Sequence, residues 1–164
     1  MIIKHNKVII IGLPRTGKSR IIRSICRNLR TLYVVTNPIY IKNKMVHHIK
    51  YKPDNWSVYE ESTNLTTIIK LINKGTIVII DDIATWLANI MVLKSNCYNE
   101  IDQLLMILKK VGNWIIITNQ QDKCVNSNQL NTRFIRLLEN TNQQLTLIAN
   151  QIYISVAGFG LRLK

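Results

Sequence analysis

The eight residues Gly12-Leu13-Pro14-Arg15-Thr16-Gly17-Lys18-Ser19 have the spacing G-x-x-x-x-G-K-[ST], and the chemistry of that pattern is phosphate capture. A glycine-rich turn lets consecutive backbone N–H groups converge on phosphate oxygens, and a helix that begins behind the turn aims the positive end of its dipole at the same point. Lys18 is placed to reach the outer phosphates. The Ser19 hydroxyl suits Mg²⁺, which bridges phosphate oxygens and neutralises charge that develops during transfer. Nucleotide binding is therefore expected of Gly12, Leu13, Pro14, Arg15, Thr16, Gly17, Lys18 and Ser19 as a unit.

A metal-bound triphosphate also needs a carboxylate. The run Thr76-Ile77-Val78-Ile79-Ile80-Asp81-Asp82 supplies one at the C-terminal end of a predicted strand, which is where open α/β sheets bind ligands. Asp81 is the metal-side candidate, directly or through water, so Ser19 and Asp81 are the expected metal residues and Lys18 and Asp81 belong to the expected catalytic set. Taken alone, two acids also serve as turn residues that end a strand; the phosphate loop is what favours the metal role. Loop and acid together support a Mg²⁺-nucleotide enzyme or switch and no more, because kinases, motors, switches and transporters all use them.

Something must hold these groups at one edge. Short runs rich in Ile and Val recur at Val8 to Ile11, Leu32 to Val35, Thr76 to Ile80, Trp114 to Ile117 and Ile152 to Val156, as buried strands do. Helical spacing lies between them, in Ile21, Ile22, Ile25 and Leu29; Leu65, Ile68, Ile69 and Ile72; Ile101, Leu104, Leu105 and Leu108; and Phe134, Leu137 and Leu138. Alternating strands and helices predict a mostly parallel sheet with helices on both faces. Gly158 and Gly160, between two apolar runs, predict a C-terminal β-hairpin. Arg20, Arg23, Arg27 and Arg30 fall on the helix face opposite the isoleucines, as a solvated face does.

Composition agrees with one domain, residues 1–164, built around a core. The chain has 164 residues, 47% of them hydrophobic and 19% charged, which excludes disorder over most of its length. No apolar leader with a small-residue cleavage site is visible, and the uncharged stretch Ile83 to Leu93 is too short to span a bilayer; a soluble, unexported, cytoplasmic protein is expected. The three cysteines, Cys26, Cys97 and Cys124, form no metal-ligand spacing. With 22 Lys+Arg against 9 Asp+Glu the net charge is +13, which suits nucleic acid but equally small anionic substrates. Over-use of Ile, Asn and Lys is also what an A/T-biased coding sequence produces.

Three further segments narrow the substrate. They are Met45-Val46-His47-His48 followed by Lys52-Pro53, Trp56 and Glu60; Asp81 through Asn89; and Ile117-Thr118-Asn119 running through Arg133 to Asn142-Gln143. With the Arg15 to Arg20 form of the phosphate loop, and with Ala157-Gly158 and the final Leu163-Lys164, the pattern resembles the bifunctional adenosylcobinamide kinase/adenosylcobinamide-phosphate guanylyltransferases of cobalamin synthesis across nearly the whole chain. The resemblance implies an α/β P-loop NTPase fold of RecA-like type in a single kinase/nucleotidyltransferase domain. It implies two reactions: phosphorylation of adenosylcobinamide by a nucleoside triphosphate, then transfer of GMP from GTP, through an enzyme histidine, to give adenosylcobinamide-GDP and pyrophosphate. ATP and GTP are the implied substrates, Mg²⁺ the cofactor and a homotrimer the assembly, with neither nucleic acid nor membrane as partner.

By this resemblance His48 is the covalent nucleophile, with His47 the alternative if the register shifts by one. A neutral imidazole, with an ordinary pKa near ~6.5, carries a free lone pair that can attack phosphorus. Without the family, a His-His pair on a polar segment reads as an ordinary surface feature. Lys52 stands where the family has Arg before Pro, and Glu60 matches an acid that contacts nucleotide. Trp56 reads as packing. Arg133 and Arg136 keep the spacing of an Arg pair that is placed to contact phosphate across a subunit boundary.

The chain also departs from the family. Lys44-Met45 replaces an acidic approach to Arg-Ile, Asp82 replaces a common Cys, and Ala84 a common Thr. Asn119 to Ser127 lacks the glycines and the Glu of the family's Asn-Glu-Val-Gly segment, which changes the backbone angles open to that loop. Two other readings follow: a basic P-loop ATPase acting on nucleic acid, and a decayed enzyme that keeps one half-activity.

Overall fold

Each apolar run bounded by polar or turn residues becomes a strand, and the central parallel strands are buried on both faces. The computed structural model describes residues 6–39, 52–73, 75–94, 96–119 and 129–164. Its strands are β1 (Lys7–Ile11), β2 (Thr31–Val35), β3 (Trp56–Glu60), β4 (Ile77–Asp81), β5 (Trp114–Thr118), β6 (Gln151–Val156) and β7 (Phe159–Arg162). The helices are α1 (Lys18–Cys26), α2 (Leu65–Lys70), α3 (Ile83–Leu93), α4 (Cys97–Lys110) and α5 (Gln129–Ile148). The seven strands form one sheet in the order β3-β2-β4-β5-β1-β6-β7. All neighbours are parallel except β6 and β7.

Alternation along the strands divides the core in two. Ile9, Val34, Val78, Ile80, Trp114 and Ile116 face α2, α3, α4 and α5, whereas Val8, Ile10, Tyr33, Val35, Ile79, Ile115 and Ile117 face α1. Helices thus lie on both faces, four on one and, among the described residues, one on the other. Helix α3 is mostly buried: Ile83, Ala84, Trp86, Leu87, Asn89 and Ile90 all lie inside. Its Trp86 indole N–H donates to the Thr63 carbonyl at 2.9 Å, so the polar atom of a fully buried ring is satisfied.

The C-terminal hairpin forms as its glycines predict. Ala157 and Gly158, both at positive φ (48° and 86°), close the turn between Val156 and Phe159, and positive φ at both central residues is the twist that fits antiparallel strands. Strand β3 and helix α3 are elements that the Ile/Val runs and the helical spacings do not mark. His47, His48, Cys124 and the segment Gln120 to Ser127 lie outside the described residues.

Candidate functional site

Three parallel strands deliver three chain turns to one edge. Strand β5 lies between β1 and β4, with Ile11 level with Thr118 and Ile80 level with Ile116. The phosphate loop leaves the end of β1, Asp81 ends β4, and Asn119 follows β5. The loop's geometry follows from its glycines and its threonine. Gly17, at φ 95°, caps α1 in a left-handed conformation, with no side-chain cap and no acid in the first turn of the helix. The first N–H groups of a helix point out of its end, so this end presents backbone donors and the positive pole of the dipole. Thr16 folds back to donate its hydroxyl to the Leu13 carbonyl at 2.8 Å. Leu13, Pro14, Arg15 and Ser19 are exposed.

Lys18 is turned onto its own loop. Its ammonium donates to the carbonyls of Gly12 (2.5 Å) and Leu13 (2.8 Å) and to Asn119 Oδ1 (2.9 Å). Partial burial lowers its pKa from the ordinary lysine value, and the carboxylates of Asp82 and Asp81 oppose that shift. Asn119 completes a bridge, since its Nδ2 donates to Asp82 Oδ2 at 3.4 Å. Asn142 of α5 steadies this corner by accepting from the Thr118 hydroxyl at 2.8 Å and donating to the Asn119 carbonyl at 3.4 Å.

The adjacent acids are held differently. Asp82 caps α3, accepting from the Thr85 N–H at 2.6 Å, and its own N–H donates to Thr36 Oγ1 at 2.8 Å. Asp81 accepts a hydrogen bond from the Tyr33 hydroxyl. Burial, followed by the Asp81 charge and this hydrogen bond, raises the Tyr33 pKa well above the ordinary phenol value, so Tyr33 is a donor at any working pH. The Lys52 ammonium lies 3.2 Å from the centroid of the same ring and has no hydrogen-bond partner among the described residues. Its pKa is pushed down to about 8 by burial, against the pull of Asp81. Trp56 stacks on Tyr33 from β3, with ring centroids 5.7 Å apart, and donates to the Cys26 carbonyl; it packs, as the sequence suggests.

Of the expected site residues, the fold brings Gly12 to Ser19, Asp81 and Lys52 into one neighbourhood. Glu60 shares the edge but ends β3, four strand spacings from β1, roughly 19 Å at the usual separation; its carboxylate accepts from Asn37 Nδ2 at 3.0 Å. Arg133 and Arg136 are exposed on α5, and the α1 arginines are exposed too. Tyr33, Thr36, Asn119 and Asn142 contribute contacts that residue spacing does not predict, although Asn119 and Asn142 stand in the segments that carry the resemblance. The oxygen donors here, two carboxylates and the Ser19 hydroxyl, are the hard ligands Mg²⁺ takes; among the described residues no third acid, His or Cys joins them, so phosphate oxygens and water would fill the rest of its shell.

The family described as cobinamide kinase / cobinamide phosphate guanyltransferase matches residues 8–163. The bifunctional adenosylcobalamin biosynthesis protein CobU of Escherichia coli K12 is 22% identical over 179 residues, covering 96% of this chain and 99% of that protein. Among solved structures, the flagellar accessory protein FlaH of Methanocaldococcus jannaschii superposes with a TM-score of 0.56 at 15% identity, over 99% of this chain and 80% of FlaH. Pyrococcus horikoshii OT3 protein PH0250 gives 0.53 at 10% identity, over 99% and 88%. At these identities the two structures speak for the α/β fold alone.

Proposed function

The chain belongs to the cobinamide kinase / cobinamide phosphate guanyltransferase family, a family of cobalamin biosynthesis, and from that premise we propose that it carries out both of the family's reactions on one phosphate cradle. In the first, the loop holds a nucleoside triphosphate and Lys18 leaves its carbonyl partners for the outer phosphates. The aminopropanol hydroxyl of adenosylcobinamide then takes the γ-phosphoryl group as the bond from that phosphorus to the β-phosphate oxygen breaks, releasing the nucleoside diphosphate and the hydroxyl proton. In the second, the same loop holds the β- and γ-phosphates of GTP while His48 attacks the α-phosphorus. The N–P bond forms as the bond to pyrophosphate breaks, and the phosphate of the corrinoid then takes the GMP and frees the imidazole.

Mg²⁺, carried with the nucleotide and held by Ser19 and Asp81, supplies charge neutralisation at the phosphates. Lys52, whose ammonium has no hydrogen-bond partner among the described residues, offers its charge to the same anion, and Glu60 contacts nucleotide at the far end of the edge. The enzyme works as a cytoplasmic homotrimer whose partners are ATP, GTP and the corrinoid; no helix among the described residues is long and apolar enough to cross a membrane.

The observation that carries this reading is the convergence of Lys18, Asn119 and the two carboxylates at the mouth of a loop with an uncapped helix behind it. Incubation with γ-labelled ATP and adenosylcobinamide is expected to label the corrinoid, and α-labelled GTP to leave acid-labile label on the protein. Absence of both labels from folded protein overturns the proposal, and one without the other identifies a single surviving half-activity.

A further inference from the structure

The phosphate loop is gripped from behind by the C-terminal hairpin. The Thr16 carbonyl accepts two hydrogen bonds, from the Gly158 N–H at 2.8 Å and from the Ser155 hydroxyl at 2.8 Å, which uses both of its lone pairs. Ser155 is 1% exposed, so its hydroxyl has no competing water. The contact is so close that the loop needs glycine at two of its positions. A Cβ on Gly17 would stand 2.8 Å from the Gly158 Cα, and one on Gly12 would stand 2.7 Å from the Ser155 carbonyl oxygen. Strand β6, which carries Ser155, is also paired to β1, Ile11 lying level with Ile154, so both ends of the loop are referenced to one strand.

In a planar trans peptide the carbonyl and the following N–H point in opposite directions. Fixing the Thr16 oxygen on the hairpin therefore turns the Gly17 N–H away from the hairpin and into the concave side of the loop. If this peptide unit rotated, a carbonyl oxygen would replace a donor where the anion sits.

We propose that Ser155 is a positioning residue for nucleotide binding: together with the Gly158 amide it holds the Thr16 peptide in the orientation that presents the Gly17 N–H to the outer phosphates. This rests on the reading of Gly12 to Ser19 as a phosphate loop, and it adds to that loop a part of the chain some 140 residues away, through a contact separated by 139 positions.

The test is calorimetric binding of GTP, GDP, inorganic pyrophosphate and GMP to the full chain and to its Ser155→Ala and Ser155→Cys variants. Losing one of the two bonds is expected to weaken GTP, GDP and pyrophosphate about three- to tenfold while leaving GMP within about twofold, with the cysteine variant, a weak donor of similar shape, in between. A merely structural role would weaken GMP and GTP alike or lower only the melting temperature, and either result overturns the inference, as does wild-type affinity in the alanine variant. Should that variant not fold, the ratio of GTP to GMP affinities in Ser155→Cys decides by the same criterion. Wild-type protein that binds neither pyrophosphate nor GTP would instead remove the phosphate-loop reading itself.

Discussion

Replacing Lys52 with Met is expected to make the protein more stable and a poorer nucleotide binder. The ammonium lies over the Tyr33 ring without a hydrogen-bond partner among the described residues, and burial pushes its pKa down to about 8 from 10.5. Below pH 8 folded and unfolded chains both hold the proton, and the fold bears the whole cost of a half-desolvated charge. Between about 8 and 10.5 the folded chain has released a proton that the unfolded chain keeps, so stability rises with pH. The undiscounted shift corresponds to about 3 kcal/mol. The group keeps part of its hydration and the aromatic face attracts it, so about 1 kcal/mol is the effect expected, or about 2–4 °C in Tm for a chain of this size. Methionine keeps an apolar stem against Tyr33 and cannot titrate. Urea unfolding of both proteins from pH 7 to pH 10 should show Lys52→Met ahead by about 1 kcal/mol at pH 7, with the gap closing toward pH 10, and GTP affinity of the variant lower at pH 7. Parallel stability curves, or a wild type that is the more stable at pH 7, would show that the Lys52 charge carries no net desolvation cost.

Gly12→Ala places a methyl 2.7 Å from a backbone oxygen of β6 and 2.8 Å from Thr16 Oγ1; overpacking of this kind costs about 1–3 kcal/mol, to be read as a lower urea midpoint at unchanged m-value. Asp81→Asn keeps an acceptor for the Tyr33 hydroxyl but removes the charge, so GTP binding is expected to weaken about tenfold or more in Mg²⁺ and to change little in EDTA, by titration calorimetry under both conditions.

Much of this fold can be read from residue patterns because parallel strands buried on both faces are nearly unbroken Ile/Val runs: β1, β2, β4, β5 and β6 lie within one residue of those runs at each end. Helix α3 escapes for the opposite reason. Buried around most of its circumference, it has no apolar stripe, and Ile83 to Leu93 reads only as an uncharged stretch. Strand β3 lies at the sheet's edge, and its signal is the alternation of inward Trp56 and Val58 with the exposed Ser57 and Tyr59, beside segments that already draw attention as motifs. At the site, the loop and Asp81 are legible because phosphate and metal chemistry restrict residue types at fixed spacing. Tyr33 and Ser155 are not legible, because each reaches the site through a pairing more than 40 residues distant in the chain, which only the strand order creates.

A nucleotide gripped by Gly12 to Ser19 is expected to be attacked at its α-phosphorus by an imidazole of this same polypeptide. Mass spectrometry of the full chain after incubation with GTP and Mg²⁺, followed by peptide mapping, would detect the resulting adduct. One GMP per chain is expected, attached at His48 and absent from both His48→Ala and Lys18→Ala. Unmodified wild-type protein, or equal modification of the His48→Ala variant, would contradict it.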